Sequence, residues 1–93
     1  MTLTGKHLIG NRESSESSET FSAANPALGT TLEPRYHEAT ESEIDAAVSL
    51  ATSAFDPFRR RLAEARADFL DAIANEVLAL GDELLDRASA ETG

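Results

Sequence analysis

Thr40-Glu41-Ser42-Glu43-Ile44-Asp45-Ala46-Ala47-Val48-Ser49-Leu50-Ala51-Thr52-Ser53-Ala54-Phe55-Asp56-Pro57 is the stretch on which the reading of the fold turns. Thr40 and Glu43 stand three apart. At that spacing a threonine hydroxyl accepts from the amide of the third helical residue, and that residue's carboxylate reaches back to the cap amide. Such a cap stabilises a helix by about 1 kcal/mol. Ile44, Ala47, Val48, Ala51, Ala54 and Phe55 then recur at three- and four-residue intervals, the signature of a helix with one apolar side. The pattern predicts a helix over about residues 41–55, ended by Asp56-Pro57 because proline lacks the amide hydrogen a helix needs. Its alanine-rich face suits close packing on another helix or a sheet.

Downstream, Leu62, Arg66, Phe69, Leu70, Ile73, Val77 and Leu80 fall on one helical stripe, with Glu64, Asp68, Asp71 and Glu76 expected to face water. Gly81 interrupts the stripe as a C-cap glycine would. Asp82 is then expected to cap a last short helix carrying Leu84, Leu85 and Ala88. No internal repeat or heptad array is evident.

Upstream, residues 1–39 read as short strands and turns. Lys6-His7-Leu8-Ile9 is a brief strand ended by Gly10-Asn11. Residues 13–19, rich in Ser and Glu, offer nothing to bury and are expected to form a solvated loop. Thr20-Phe21-Ser22-Ala23 is extended. Asn25-Pro26-Ala27-Leu28-Gly29 is a turn: proline presets φ, asparagine bonds nearby backbone and glycine accepts a positive φ. Thr30-Thr31-Leu32-Glu33 returns as a strand that Pro34 confines to an edge or an end. A hairpin alone is marginal in water, so this lead-in should lie against something else. The division is therefore a hairpin lead-in over 1–39 and a helical part over 40–93, both belonging to one larger domain.

Composition excludes several functions. Seventeen acidic residues against eight Lys and Arg give a formal net charge of −9, the opposite of what a phosphate backbone requires. The one basic cluster, Arg59-Arg60-Arg61, fans out around a helix end and complements its dipole. Cysteine is absent, which removes disulfides, thiolate metal sites and a cysteine nucleophile. No apolar run approaches the roughly 20 residues of a membrane span. The start, Met1-Thr2-Leu3-Thr4-Gly5-Lys6-His7, has no apolar signal region, so the cytoplasm is the expected compartment.

Catalytic, cofactor and metal residues are each read as none. His7 and His37 have no second ligand at a motif's spacing. The pairs Glu41/Asp45 and Glu64/Asp68 lie on polar helix faces, whereas general acid–base work needs a carboxylate shifted by burial or a close partner. The five glycines form no phosphate-binding spacing, and no nucleophile elbow occurs.

The order of features is more informative than any one motif. Phe21-Ser22-Ala23-Ala24-Asn25-Pro26-Ala27-Leu28-Gly29, Glu43-Ile44-Asp45-Ala46-Ala47-Val48, Ala54-Phe55, Arg66-Ala67-Asp68-Phe69-Leu70 and Glu91-Thr92-Gly93 succeed one another. In that order they resemble the opening of the aldehyde dehydrogenase superfamily. Phe55-Asp56-Pro57-Phe58-Arg59 and Ala79-Leu80-Gly81-Asp82-Glu83-Leu84 look like its α-ketoglutaric semialdehyde and NADP-dependent fatty aldehyde branches. Phe58 stands where more typical members have Trp, and Asn11-Arg12-Glu13 departs from their Gly-x-Trp.

The resemblance implies an α/β parent fold in which this chain supplies an N-terminal β-hairpin and two to three α-helices that pack on the cofactor-binding domain. It implies aldehyde oxidation to a carboxylic acid, with 2,5-dioxopentanoate to 2-oxoglutarate as the best-fitting reaction. The thiolate, the glutamate and the NAD or NADP contacts of the family lie downstream of Gly93. It also implies the remainder of the same enzyme as partner, and a homo-oligomer. The alternative drawn from the residues alone is a small helical protein–protein interaction module using the 62–92 stripe.

Overall fold

A computed structural model describes residues 2–93. Four strands precede three helices: β1 His7–Ile9, β2 Arg12–Ser14, β3 Thr20–Asn25, β4 Thr30–His37, α1 Glu41–Arg59, α2 Ala63–Leu80 and α3 Asp82–Thr92. The strands form two separate antiparallel hairpins, β1–β2 and β3–β4.

The second hairpin follows the expected turn. Asn25 Oδ1 accepts from the amides of Ala27 (3.0 Å) and Leu28 (3.1 Å). The Gly29 amide donates to the Asn25 carbonyl at 2.8 Å, with Gly29 at φ +68°. Phe21 and Tyr36 face each other across the ladder and stack at 5.7 Å.

Four local expectations are corrected. The Ser/Glu stretch is not loop throughout: Arg12, Glu13 and Ser14 pair with Ile9, Leu8 and His7, so the lead-in holds two hairpins. The tight Gly10-Asn11 reversal, both at positive φ, folds the chain back before the polar loop begins. Next, β4 runs past Pro34 to His37, because the ladder steps from Ser22↔Arg35 to Ala23↔Leu32 and leaves Pro34 in the shift, where no amide is needed. Helix α1 also continues through Pro57 to Arg59. One missing amide in a final turn does not end a helix, and Arg60 N still reaches the Asp56 carbonyl at 3.3 Å. Finally, Gly81 is the N-cap of α3 and Asp82 is its first residue, with no side-chain cap bond. At φ +60°, Gly81 does end α2 as expected.

Helix α3 lies against β3, and α1 against β1. Arg87 of α3 donates to the Glu33 carbonyl (2.5 Å) and from Nη2 to the Tyr36 hydroxyl (3.5 Å). Phe58 meets Phe69 edge to face at 5.4 Å, which joins α1 to α2.

Among the described residues no hydrophobic side chain is buried. The radius of gyration is 16.7 Å, against about 12 Å for a compact chain of this length. The accessible surface is 7347 Å², against about 5,200 Å² for a folded monomer of this mass. No helix of the described residues is long and apolar enough to cross a membrane.

Candidate functional site

Among the described residues, the one charged side chain withdrawn from water is Glu43, 3% exposed at the start of α1. Its position follows from the cap. Glu43 N donates to Thr40 Oγ1 at 3.2 Å, and the Thr40 amide donates to Glu43 Oε1 at 3.1 Å. The other carboxylate oxygen, Oε2, accepts a short hydrogen bond from the Ser14 hydroxyl at the end of β2. Thr40 Oγ1 also donates to Glu16 at 2.7 Å. The chain at the end of β2, through Ser14 and Glu16, is thus tied to a helix start far along the sequence.

The Ser14 hydroxyl and then the Thr40 amide hold the Glu43 carboxylate down, from an ordinary 4.5 to about 2. Hydrogen bonds that favour the charged form outweigh the desolvation that opposes it. A carboxylate held so firmly ionised accepts hydrogen bonds and anchors; it is a poor proton donor or base near neutral pH.

Next to this anchor lies His7 on β1, whose Nε2 is buried with no hydrogen-bond partner. It borders a cavity of about 250 Å³ shared with Ile9, Glu43, Ile44 and Ala47. His37 is elsewhere, its Nδ1 donating to the Ser17 carbonyl at 2.8 Å. The two histidines therefore serve different hairpins. Glu41, Asp45, Glu64 and Asp68 are all exposed. Arg59 turns back on Asp56 at 2.6 Å and stands 5.8 Å from the Phe55 ring centre, so the arginine cluster is partly engaged within α1.

The capping pattern flagged Thr40 and Glu43, but nothing in the sequence marked Ser14 as their partner 29 residues away. Arg87 was equally silent, because its acceptors are a backbone carbonyl and a tyrosine on β4. Taken together, these groups make a structural anchor, and the broad surfaces around it are apolar and uncovered.

The sequence model of the aldehyde dehydrogenase family matches residues 13–93. The chain belongs to that family. It is 44% identical over its whole length to an α-ketoglutaric semialdehyde dehydrogenase 2 of Azospirillum brasilense, of which it covers 18%. It is 38% identical over 95% of its length to a 2-hydroxymuconic semialdehyde dehydrogenase of Pseudomonas sp. (strain CF600), again covering 18% of that protein. Identity to an α-ketoglutaric semialdehyde dehydrogenase of Acinetobacter baylyi is 33% over 96% of the chain and 17% of that protein. No solved structure matches the chain significantly. This member of the aldehyde dehydrogenase family spans less than a fifth of the length of the curated relatives it matches. The family match runs from Glu13 in β2 through α3, so both sides of the Ser14–Glu43 anchor lie inside it.

Proposed function

We propose that this chain is the amino-terminal scaffold of an NAD(P)-dependent aldehyde dehydrogenase, and that its role is to pack on the cofactor-binding domain. The observation that carries this is the pairing of family membership over residues 13–93 with a surface about 2,000 Å² larger than a compact chain of this mass would show. Apolar faces such as Ile44, Val48 and Phe55 on α1 are more than half exposed. They are shaped for a cover that a longer protein supplies.

The reaction of the whole enzyme is oxidation of an aldehyde by NAD(P)+ and water to a carboxylic acid, with a hydride passing to the nicotinamide. Semialdehydes are the substrates named for all three relatives, and 2,5-dioxopentanoate, giving 2-oxoglutarate, is the substrate we assign. The segment itself supplies no catalytic, cofactor or metal residue. The enzyme is cytoplasmic and homo-oligomeric in this reading.

The test has two stages. The gene is first read beyond the codon for Gly93; an open frame running on for several hundred codons with a cysteine is expected, and a stop there sinks the scaffold reading. The full product is then assayed with NAD+ and NADP+ on 2,5-dioxopentanoate and on 2-hydroxymuconic semialdehyde. Turnover of the first at least tenfold more efficient than of the second is expected. The reverse order would move the substrate assignment while leaving the scaffold role in place.

A further inference from the structure

We propose that residues 14–19 are a strap across the corner where β4 turns into α1, and that this strap opens and closes as one cooperative unit. The strap joins β2 to β3, and residues 38–40 join β4 to α1. Four hydrogen bonds run between these two connections and their ends. At one end the Ser14 hydroxyl donates to Glu43 Oε2. Next along, the Thr40 hydroxyl donates to Glu16 at 2.7 Å. At the other end His37 Nδ1 donates to the Ser17 carbonyl at 2.8 Å, and the Glu38 amide donates to the Glu19 carbonyl at 2.9 Å.

Each half is ordered locally before the two meet. In the strap, the Glu19 amide donates to Ser17 Oγ at 3.1 Å. In the corner, Thr40 and Glu43 cap α1 reciprocally. The His37 amide donates to the Gly5 carbonyl at 2.9 Å, which holds the corner from a further side. The three ties that use side chains join residues 20, 24 and 29 apart. Bringing such stretches together costs loop-closure entropy, and fixing each loop residue costs more. The first tie to form bears most of that cost, and the others then close between groups already adjacent. Losing any one of them therefore weakens the rest.

The strap is also held against an opposing force. Glu16, Glu19, Glu38 and Glu43 bring four acidic residues to the same corner, and like charges resist the compact arrangement. Hydrogen bonds outweigh that resistance, but by a margin that places the strap among the parts of a fold that open locally before the whole does. The strap stands on contacts within the chain, needs no uncovered face and does not depend on the dehydrogenase reading.

Amide exchange in the full gene product tests the proposal. Ser14→Ala and Glu16→Ala are each expected to speed exchange of the Glu38 amide about tenfold, although the partner of that amide is Glu19 at the far end of the strap. Ser14→Thr keeps a hydroxyl and is expected to stay within about threefold of the native rate. Amides of the β3–β4 ladder are expected to keep their protection in all three variants. A Glu38 amide indifferent to either alanine change would mean that the ties act independently, and overturns the proposal. Equal acceleration through the β3–β4 ladder, the mark of general loosening, overturns it as well, as does Ser14→Thr exchanging as fast as Ser14→Ala.

Discussion

Ser14 and Glu43 show how much a single hydroxyl settles in a chain with so little interior. Removing it in Ser14→Ala takes away the largest influence on the Glu43 carboxylate, which is held at about 2. The expected outcome is a rise toward the ordinary carboxylate range, read as the side-chain carbon shift of Glu43 against pH. An unchanged midpoint would mean that the helix cap alone holds it. Because the folded value lies below the ordinary 4.5, the contribution of Glu43 to stability is complete above that pH. It fades as pH falls from there toward 2, so the tie between β2 and α1 holds at neutral pH and loosens in acid. Gly5 makes a second argument at this scale. It sits at φ +71°, and a Cβ there would fall on the Arg35 carbonyl oxygen. The Gly5 carbonyl accepts from the His37 amide at 2.9 Å. In Gly5→Ala the backbone penalty alone is about 1–2 kcal/mol. The expected result is at least tenfold faster exchange of the His37 amide, with the Tyr36–Phe21 stack left in place.

Among the elements, α1 was the most legible, and the reason is local: its cap, its period and its composition all lie within twenty residues. Thr40→Ala removes the hydroxyl that receives the Glu43 amide and should cost about 1 kcal/mol of helix stability. Amide exchange over residues 41–47 checks this, with the far end of α1 unaffected. The Asn25–Gly29 turn was legible for the same reason. The misread boundaries share the opposite property. Pro57 looked like a stop, yet the turn holding it is retained by Phe58, which packs on Phe69 of the next helix. Pro34 looked like a strand end, but the ladder shifts around it. Ser14 looked solvated until β2 paired with β1. In each case the deciding contact is non-local, and composition within a short window carries no trace of it. Nor could spacing alone show Arg87 as the link from α3 to β4. Arg87→Met keeps the aliphatic stem and loses the bonds to the Glu33 carbonyl and the Tyr36 hydroxyl. A charged hydrogen bond of this kind contributes about 1.5–3 kcal/mol when well shielded, and the side chain is 19% exposed, so the lower end is expected. Faster amide exchange in α3, with α1 unchanged, is the signature.

For the molecule as a whole, family membership was legible because it resides in the order of short motifs, and a thin core was legible from chain length; that no hydrophobic side chain is buried among the described residues was not, since stripes of Leu, Ile and Phe look the same whether covered or bare. The bare state has a thermodynamic consequence. With 7347 Å² exposed, the chain buries only about half of the surface its unfolded form would show, where a compact chain of similar size buries about 60% or more. Hydrophobic stabilisation scales with the area removed from water, while the entropy of ordering the backbone scales with the number of residues. The balance therefore shifts against the folded state for the chain alone. The slope of unfolding free energy against urea follows the area exposed on unfolding. In dilute solution, a few micromolar or below, the 93-residue chain should give a broad thermal transition and a urea slope below that of a compact domain of equal length. Its N-terminal third should loosen before the helices, because β1 and β2 are three residues each and rest on little else. A sharp cooperative melt with a urea slope equal to that of a compact domain would show that the exposed faces cost the chain nothing.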